Sequence, residues 1–294
     1  MAAELIPPAL RRRLQPLQLL AKRTRAMGLG LHPSHSRGAG LEFSQYRAYE
    51  PGDDLRQVDW KLYARSDRFF VREAERESPL TVWLLVDASA SMAQVDQARP
   101  QWSRLDAGKT LAACIAELAL RQGDRFGMIA LRDDGLQLLP AGSGARHRNR
   151  LWLALHALTA HGRFPQSPAL TPAWERTAAG ELVVIFSDCF DDAMVALAER
   201  LAAARREVIV VQLLTAEERD FPYHHGHRFR DPETGEERPG DGKAMRIEFL
   251  QRFTQALQAL DARLDAAGIA HARYVLDEPL ERPLQHVFGR HNKA

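Results

Sequence analysis

The segment from Thr81 to Asp87 reads TVWLLVD, a short apolar run that ends in an acidic residue. A run of this length is typical of a strand that is buried on both faces of a parallel sheet. Beyond it, segments of helical spacing alternate with further short apolar runs. Strands separated by helices specify βαβ units and a sheet covered on both faces. The sequence therefore predicts a doubly wound, mostly parallel α/β domain over residues 81–294.

The same patterns place the other elements of this domain. The sequence DDG at 133–135 predicts a tight hairpin turn between two of the strands. The sequence DPETG at 231–235 predicts a surface hairpin inserted at 221–241. The further strands are predicted at 126–131, 136–139, 182–186, 208–214 and 270–276. The helices are predicted at 104–121, 149–159, 193–205, 244–267 and 280–290.

The charge of the chain is unevenly distributed, although 40 Lys and Arg nearly balance 38 Asp and Glu. Residues 1–40 carry a net +6 and the remainder a net −4. Leucines at 14, 17, 19 and 20 give one apolar face, which predicts a basic amphipathic helix within residues 1–30. Two roles stay open for it: packing on the body of the protein, or contact of residues 11–25 with an anionic membrane surface or nucleic acid.

No pattern in the sequence predicts export or a membrane span. The basic N-terminal stretch lacks the uninterrupted apolar region and the small-residue cleavage site of a secretory signal. The longest apolar runs are far shorter than the roughly 18 residues of a spanning helix. Cys114 and Cys189 lie far apart and in no metal-ligand spacing, which favours a reducing compartment. We therefore expect the protein to act in the cytoplasm.

Residues 31–80 form a region of different composition, with many charges and turn formers between short segments. The segments at 41–49 and 68–77 are predicted to be strands, the second because its apolar and polar residues alternate. We therefore expect a small β-rich appendage ahead of the α/β domain.

The most distinctive motif of this appendage is GDDLRQVDW at 52–60, followed by Arg65. In one interpretation its acids are general bases or metal ligands. In the other, which the pairing of Asp with Arg favours, a network of ion pairs and hydrogen bonds pins the appendage to the sheet, with Trp60 as a buried anchor. The residues of this predicted network are Asp53, Asp54, Arg56, Asp59, Trp60 and Arg65.

Oxygen-bearing side chains follow the first predicted strand of the α/β domain, where Asp87, Ser89 and Ser91 alternate along the loop. Asp188 follows another strand, and adjacent parallel strands would bring it within reach of Asp87. Hydroxyl and carboxylate oxygens are the ligands that a hard cation such as Mg²⁺ accepts. In an alternative that also stays open, Asp87 caps the loop and the two serines satisfy backbone groups.

This DxSxS pattern, with an acid after the fourth strand, resembles the metal-ion-dependent adhesion site of von Willebrand factor A domains. The segment ahead of the α/β domain makes the resemblance specific to one family. It resembles the bacterial family called domain of unknown function fifty-eight, which carries such a segment directly ahead of a von Willebrand A-like domain. The matching stretches are SRGAGLEF at 36–43, RAY at 47–49, PGDDLR at 51–56, VDW at 58–60 and AR at 64–65.

The resemblance implies a divalent cation, Mg²⁺ or Mn²⁺, held directly by the Ser89 and Ser91 hydroxyls, with Asp87 and Asp188 acting mainly through water. A third loop normally supplies a threonine. Ser167 stands where that threonine would fall, with Thr171 as the alternative, so a degenerate site without a cation also stays open. Asp188 is followed by Cys189 in place of the usual glycine.

Three other patterns are weaker signals. DAGKT at 106–110 ends like a phosphate-binding loop, but it lacks the first glycine and the preceding strand, so a plain helix start is predicted. His224, His225 and His227 lie in a polar insertion without other ligands at suitable spacing, so a solvated loop is predicted. The GxSxG motif of serine hydrolases is missing from the sequence.

Two functions of different classes follow from these observations. The first is a cytoplasmic, non-enzymatic protein-interaction module whose cation binds an acidic group of a partner. The resemblance implies that this partner is a MoxR-type AAA+ ATPase, acting in complex assembly or metal-cofactor insertion. The second is a metal-dependent hydrolase that uses Asp87 and Asp188. No nucleic-acid partner is expected.

Overall fold

The computed structural model describes residues 5–19, 42–50, 58–75 and 79–289. The chain divides into a larger unit, Met1–Ala26 with Leu80–Ala294, and a smaller unit, Met27–Pro79.

The secondary structure is named here in chain order. The helices are α1 (Pro8–Arg13), α2 (Trp60–Ser66), α3 (Arg104–Gln122), α4 (Gly144–Ala157), α5 (Thr171–Arg176), α6 (Asp192–Ala203), α7 (Ala216–Asp220), α8 (Gly242–Ala266) and α9 (Glu281–Phe288). The strands are β1 (Glu42–Ala48), β2 (Phe70–Glu75), β3 (Thr81–Asp87), β4 (Val95–Asp96), β5 (Arg99–Ser103), β6 (Arg125–Leu131), β7 (Gln137–Gly142), β8 (Leu182–Ser187), β9 (Glu207–Leu214), β10 (Gly226–Arg230), β11 (Glu237–Asp241) and β12 (Ala270–Val275).

The larger unit is built on one central sheet, which has six strands among the described residues, in the order β12-β9-β8-β3-β6-β7. All neighbours pair in parallel except the hairpin partners β6 and β7. Strand β3 lies inside this sheet, and its side chains alternate between two cores. Val82, Leu84 and Val86 pack in the layer of α3, α4 and α9, whereas Trp83 and Leu85 pack in the layer of α6 and the end of α8. The predicted doubly wound α/β fold is therefore confirmed.

The predicted elements agree with the observed ones, with some exceptions. The β4–β5 ribbon and the short helices α5 and α7 were not predicted. Helix α4 begins at Gly144, five residues before its predicted start. Its buried side chains are His147, Leu151 and Leu155, spaced by four. The first of these is polar, so the apolar pattern alone misses the first turns of the helix.

The N-terminal segment belongs to the larger unit, and the helix found in its described residues lies ahead of the predicted leucine face. Leu20 of that face lies outside the described residues. Helix α1 ends at Arg13, and residues 17–19 are not helical. Pro16 explains this difference, because proline lacks the N–H that continues a helix. Leu14, Leu17 and Leu19 are nevertheless buried in the core shared with α3. The structure therefore favours packing on the body of the protein over exposure of this apolar face to a membrane.

In the smaller unit, the two predicted strands are present as β1 and β2, and they pair in the antiparallel direction. Asp59 is the N-cap of α2, because its carboxylate accepts hydrogen bonds from the N–H groups of Lys61 and Leu62 at 2.9 and 3.1 Å. Trp60 is 57% exposed, so its predicted role as a buried anchor is wrong. It occupies the first turn of α2 and contacts Tyr63 and Phe69 only edge-on. Arg65 is exposed at the end of this helix, and Asp53, Asp54 and Arg56 of the predicted network lie outside the described residues.

The two-sided burial of β3 gives a stability prediction. Leu84 is fully buried, so Leu84→Ala leaves a cavity and should lower the free energy of unfolding by about 2–5 kcal/mol. Leu153→Ala is the matched control, because Leu153 is 71% exposed on α4; it should change this free energy by less than about 0.5 kcal/mol. Urea denaturation measures both. Equal effects of the two substitutions would contradict the described position of β3.

Candidate functional site

The candidate site lies where β3 and β8 end. These strands pair in parallel, with Val86 opposite Phe186, so the residues that follow them meet at the same edge of the sheet. Asp87, Ser89 and Asp188 are buried there. The structure therefore brings together four of the five predicted metal-site residues, namely Asp87, Ser89, Ser91 and Asp188.

Asp87 is held by neutral donors, and no ion pair joins it to another described residue. Its Oδ1 accepts from the Ser89 backbone N–H at 2.9 Å, and its Oδ2 accepts from the Ser187 hydroxyl at 2.6 Å. Burial, and then the negative charge of Asp188, raise the pKa of Asp87 to about 7, although hydrogen bonding by Ser187 and Ser89 favours the charged form. Asp87 thus caps the loop that follows β3, as one of the two interpretations predicts. The neutral donors leave the negative charge of its carboxylate uncompensated.

The two serine hydroxyls of the loop lie side by side. Ser89 Oγ and Ser91 Oγ are 3.0 Å apart and form a hydrogen bond with each other. Neighbouring ligands of an octahedral Mg²⁺, each about 2.1 Å from the ion, are separated by roughly 3.0 Å. Two neutral hydroxyls at this separation, beside an uncompensated carboxylate, form a donor set that fits a hard divalent cation.

Asp188 is engaged differently from Asp87. Its Oδ2 accepts from Arg104 Nη1 at 2.8 Å, and its Oδ1 accepts from the Phe190 N–H at 3.1 Å. The Arg104 guanidinium also contacts the Ser91 carbonyl and Glu218. This buried ion pair neutralises Asp188, so its oxygens are available to a cation only through water.

The residue after Asp188 has an unusual backbone conformation. Cys189 adopts a φ of +61°, which a side chain rarely tolerates and which favours glycine. Its N–H donates to the Ser187 hydroxyl at 3.1 Å, the same group that donates to Asp87. The backbone geometry thus explains why glycine is usual here in the domains that this sequence resembles.

The third loop reaches the site through its backbone. The His161 N–H donates to the Ala88 carbonyl at 3.0 Å, and the Ala90 N–H donates to the Gly162 carbonyl at 2.9 Å. Ser167 lies further along this loop in the exposed stretch 166–169, and no hydrogen bond within the described part of the chain joins it to Ser89 or Ser91. Thr171 begins α5. Neither residue is brought to the hydroxyl pair as the third ligand that the resemblance implies.

An acidic side chain of the β10–β11 hairpin also reaches the site. Glu233 Oε2 accepts from the Phe164 N–H at 3.4 Å, and the nearby Ser89 hydroxyl favours its charged form. Burial and then the charges of Asp188 and Asp191 raise the pKa of Glu233, against the opposing effect of these two groups. The candidate site therefore already contacts one carboxylate from a distant part of the chain.

Sequence reasoning missed Arg104 and Glu233 as members of the site. Arg104 carried a usable signal, because it is a charged residue at the start of a helix whose other residues are mainly apolar. Glu233 carried no signal beyond its place in a predicted turn, because hairpin tips commonly contain acidic residues that face solvent.

The weaker sequence patterns have structural roles. The DAGKT sequence lies in the first turns of α3, which Ser103 caps by accepting from the Asp106 N–H, as predicted. His224, His225 and His227 are exposed. Across the described ranges, no three His, Cys, Asp or Glu side chains gather in a way that would hold a metal ion by themselves.

Comparison with known proteins assigns the family. A family model described as "Protein of unknown function DUF58" matches residues 45–259. The chain belongs to the DUF58 family. The uncharacterized proteins Rv1480 of Mycobacterium tuberculosis and Mb1516 of Mycobacterium bovis are each 29% identical to this DUF58 chain over 216 residues, or 70% of it. The match spans 64% of the length of these relatives.

Two solved structures illustrate what this DUF58 chain is similar to. BatB from Bacteroides thetaiotaomicron is 15% identical, with a TM-score of 0.44 over 71% of this chain and 97% of BatB. The VWA domain of SpRpn10 is 14% identical, with a TM-score of 0.40 over 70% of this chain and 94% of that domain. Among the residues described, no helix has the length and apolar character to cross a membrane.

The raised pKa of Asp87 gives a pH prediction for the cation-free protein. The folded pKa of about 7 exceeds the ordinary value of 3.8, so the stability that protonated Asp87 contributes is full below pH 3.8 and is lost as pH rises through about 7. Asp87→Asn removes this dependence. Between pH 4.5 and 7.5 the stability of wild type relative to Asp87→Asn should fall by roughly 3 kcal/mol. Urea unfolding with a chelator measures this difference, and a constant difference would contradict the burial of an uncompensated carboxylate.

Proposed function

We propose that this DUF58 protein is a protein-interaction module that binds an acidic group of a partner through a divalent cation at Ser89 and Ser91. The observation that carries the proposal is the hydroxyl pair, 3.0 Å apart, beside the uncompensated carboxylate of Asp87. The von Willebrand A-like fold is consistent with an interaction role.

The charges of the site support an acidic partner group. When bound, a divalent cation supplies an electrophilic centre with a position open to an external oxygen. Arg104 already neutralises Asp188, so of the two carboxylates at the strand ends Asp87 is the one left to offset a double positive charge. The remaining positive charge favours a carboxylate over a neutral oxygen as the external ligand.

Exposed aromatic surface lies next to these charges. Phe190 follows Asp188 by two residues and is 53% exposed. The Arg104 guanidinium lies 5.4 Å from the centre of its ring, and Phe253 of α8 contacts its edge. An aromatic side chain held in place beside a charged centre is typical of the energetically dominant residues of protein interfaces.

The partner and compartment are further parts of the proposal. Resemblance within the family supports a MoxR-type AAA+ ATPase as the partner, with the pair acting in complex assembly or metal-cofactor insertion. Cys114 and Cys189 are free and buried, which supports a reducing compartment such as the cytoplasm.

The alternative of a metal-dependent hydrolase receives less support from the geometry. A general base needs an oxygen that the attacking water can reach. Asp87 and Asp188 are buried, and each of their oxygens already accepts a hydrogen bond from a protein group. We therefore propose binding and not catalysis as the role of this site.

The hydroxyl pair gives a cation-binding prediction. Wild type should bind Mg²⁺ or Mn²⁺ in a calorimetric titration, and Ser89→Ala or Ser91→Ala should weaken the affinity at least about tenfold. Ser143→Ala is the matched control, because Ser143 is exposed and makes no side-chain cap; it should leave the affinity unchanged. Ser167→Ala should also leave it unchanged, since this side chain does not join the pair. Absence of binding by wild type would overturn the cation site.

The aromatic residue beside the site gives a partner-binding prediction. Phe190→Ala should weaken binding to a purified MoxR-type ATPase of the same host about tenfold or more, measured by biolayer interferometry. Leu153→Ala, on the opposite layer of the sheet, should bind like wild type. Failure of wild type to bind would reject this partner. Equal affinities of wild type and Phe190→Ala would reject this surface.

A further inference from the structure

The tip of the β10–β11 hairpin directs one side chain inward. Glu233 is partly buried, whereas its neighbours from Asp231 to Pro239 are exposed. Its carboxylate accepts from the Phe164 N–H at 3.4 Å, and it lies close enough to the Ser89 hydroxyl for that group to favour its charged form. Ser89 is one of the two groups proposed to hold the cation.

The turn itself fixes the direction of Glu233. The Asp231 carboxylate accepts from the N–H groups of Glu233 and Thr234 at 2.8 and 3.2 Å. The Gly235 N–H donates to the Asp231 carbonyl at 2.8 Å, and Gly235 has a φ of +73°, which glycine adopts without strain. Glu233 is therefore presented on a preorganised tight turn.

The base of the hairpin is anchored separately from its tip. The Phe229 ring stacks on Phe221 at 5.7 Å, and Phe221 stacks on Phe249 of α8 at 4.3 Å. The described contacts of the tip with the site are the polar ones of Glu233. Aromatic packing thus holds the base, and a few hydrogen bonds hold the tip, so the tip can leave without loss of the anchoring core.

We propose that Glu233 occupies the position of the partner's acidic group, so that the hairpin of residues 226–241 is an internal competitor that a partner must displace. This inference rests on the proposed function, because it assigns the same Ser89-centred position to two competing carboxylates. The partner group that fits is an acidic side chain presented on a tight turn, as Glu233 is.

The attachment of Glu233 to the same chain as the site determines how strongly it competes with a partner. A group attached by a short linker competes as if it were present at roughly millimolar concentration. A free carboxylate or a short acidic peptide is therefore a weak ligand for the closed site. A partner that displaces Glu233 therefore needs further contacts outside the closed site, and the exposed Phe190 offers one.

The first test counts the water molecules on bound Mn²⁺ by proton relaxation of the solvent. Glu233→Gln should increase the number of rapidly exchanging waters by about one, because the carboxylate no longer fills a coordination position. Glu236→Gln is the control, because Glu236 lies on the same turn and is exposed; it should match wild type. Mn²⁺ bound through Ser89, with the same hydration in wild type and Glu233→Gln, would overturn the inference and leave the proposed function standing.

The second test needs no metal and decides the contact by itself. Amide hydrogen exchange of the segment containing Phe164 should be several-fold faster in Glu233→Gln than in wild type or Glu236→Gln. Equal exchange in all three proteins would overturn the inference even if none of them binds Mn²⁺. Faster exchange in Glu233→Gln together with absence of Mn²⁺ binding would support the internal competitor and reject only the cation in the proposed function.

Discussion

The parallel pairing of β3 with β8 is the constraint on which the rest of the site depends. Because both strands end at the same edge, the chain has to accommodate Asp87 and Asp188 together in a buried place. Two carboxylates in low dielectric repel each other and lose hydration. The structure resolves this conflict unequally: Asp188 receives a guanidinium, and Asp87 receives neutral donors from Ser89 and Ser187.

The two carboxylates are therefore offset by different kinds of positive charge. Asp188 is offset by Arg104, which is a permanent part of the protein, whereas the charge that offsets Asp87 can exchange with solution. Arg104 is buried and is held by Asp188, Glu218 and the Ser91 carbonyl, so it cannot leave without exposing unpaired charges. Its pairing joins the loop after β8 to the loop that contains Ser91. The charge of Asp87 can be offset by a proton or by an ion from solution. A cation bound there is thus added to a prearranged site and not needed to assemble it.

The parts of the molecule that sequence could predict are those set by local patterns. The runs ending at Asp87 and Phe186 predicted strands, and the topology of parallel sheets then predicted the meeting of Asp87 with Asp188. Arg104 joins Asp188 across 84 residues and Glu233 joins Phe164 across 69, and no local pattern encodes such distances. The mistaken burial of Trp60 has a related cause, because a large apolar residue in a motif indicates packing only when the neighbouring elements are known.

The position of the inserted hairpin follows from the topology of the sheet. Strand β9 pairs in parallel with β8, so the connection from β9 to α8 begins at the edge where Asp188 lies. Gln212 of β9 donates to the Asp188 carbonyl at 3.0 Å, which joins this strand directly to the site. An extension of the same connection grows over the site, whereas an insertion at the opposite ends of the strands would grow away from it. In a sheet of this type, lengthening this one connection is therefore enough to place a side chain over the ligand position. The buried charges that create the position stay unchanged.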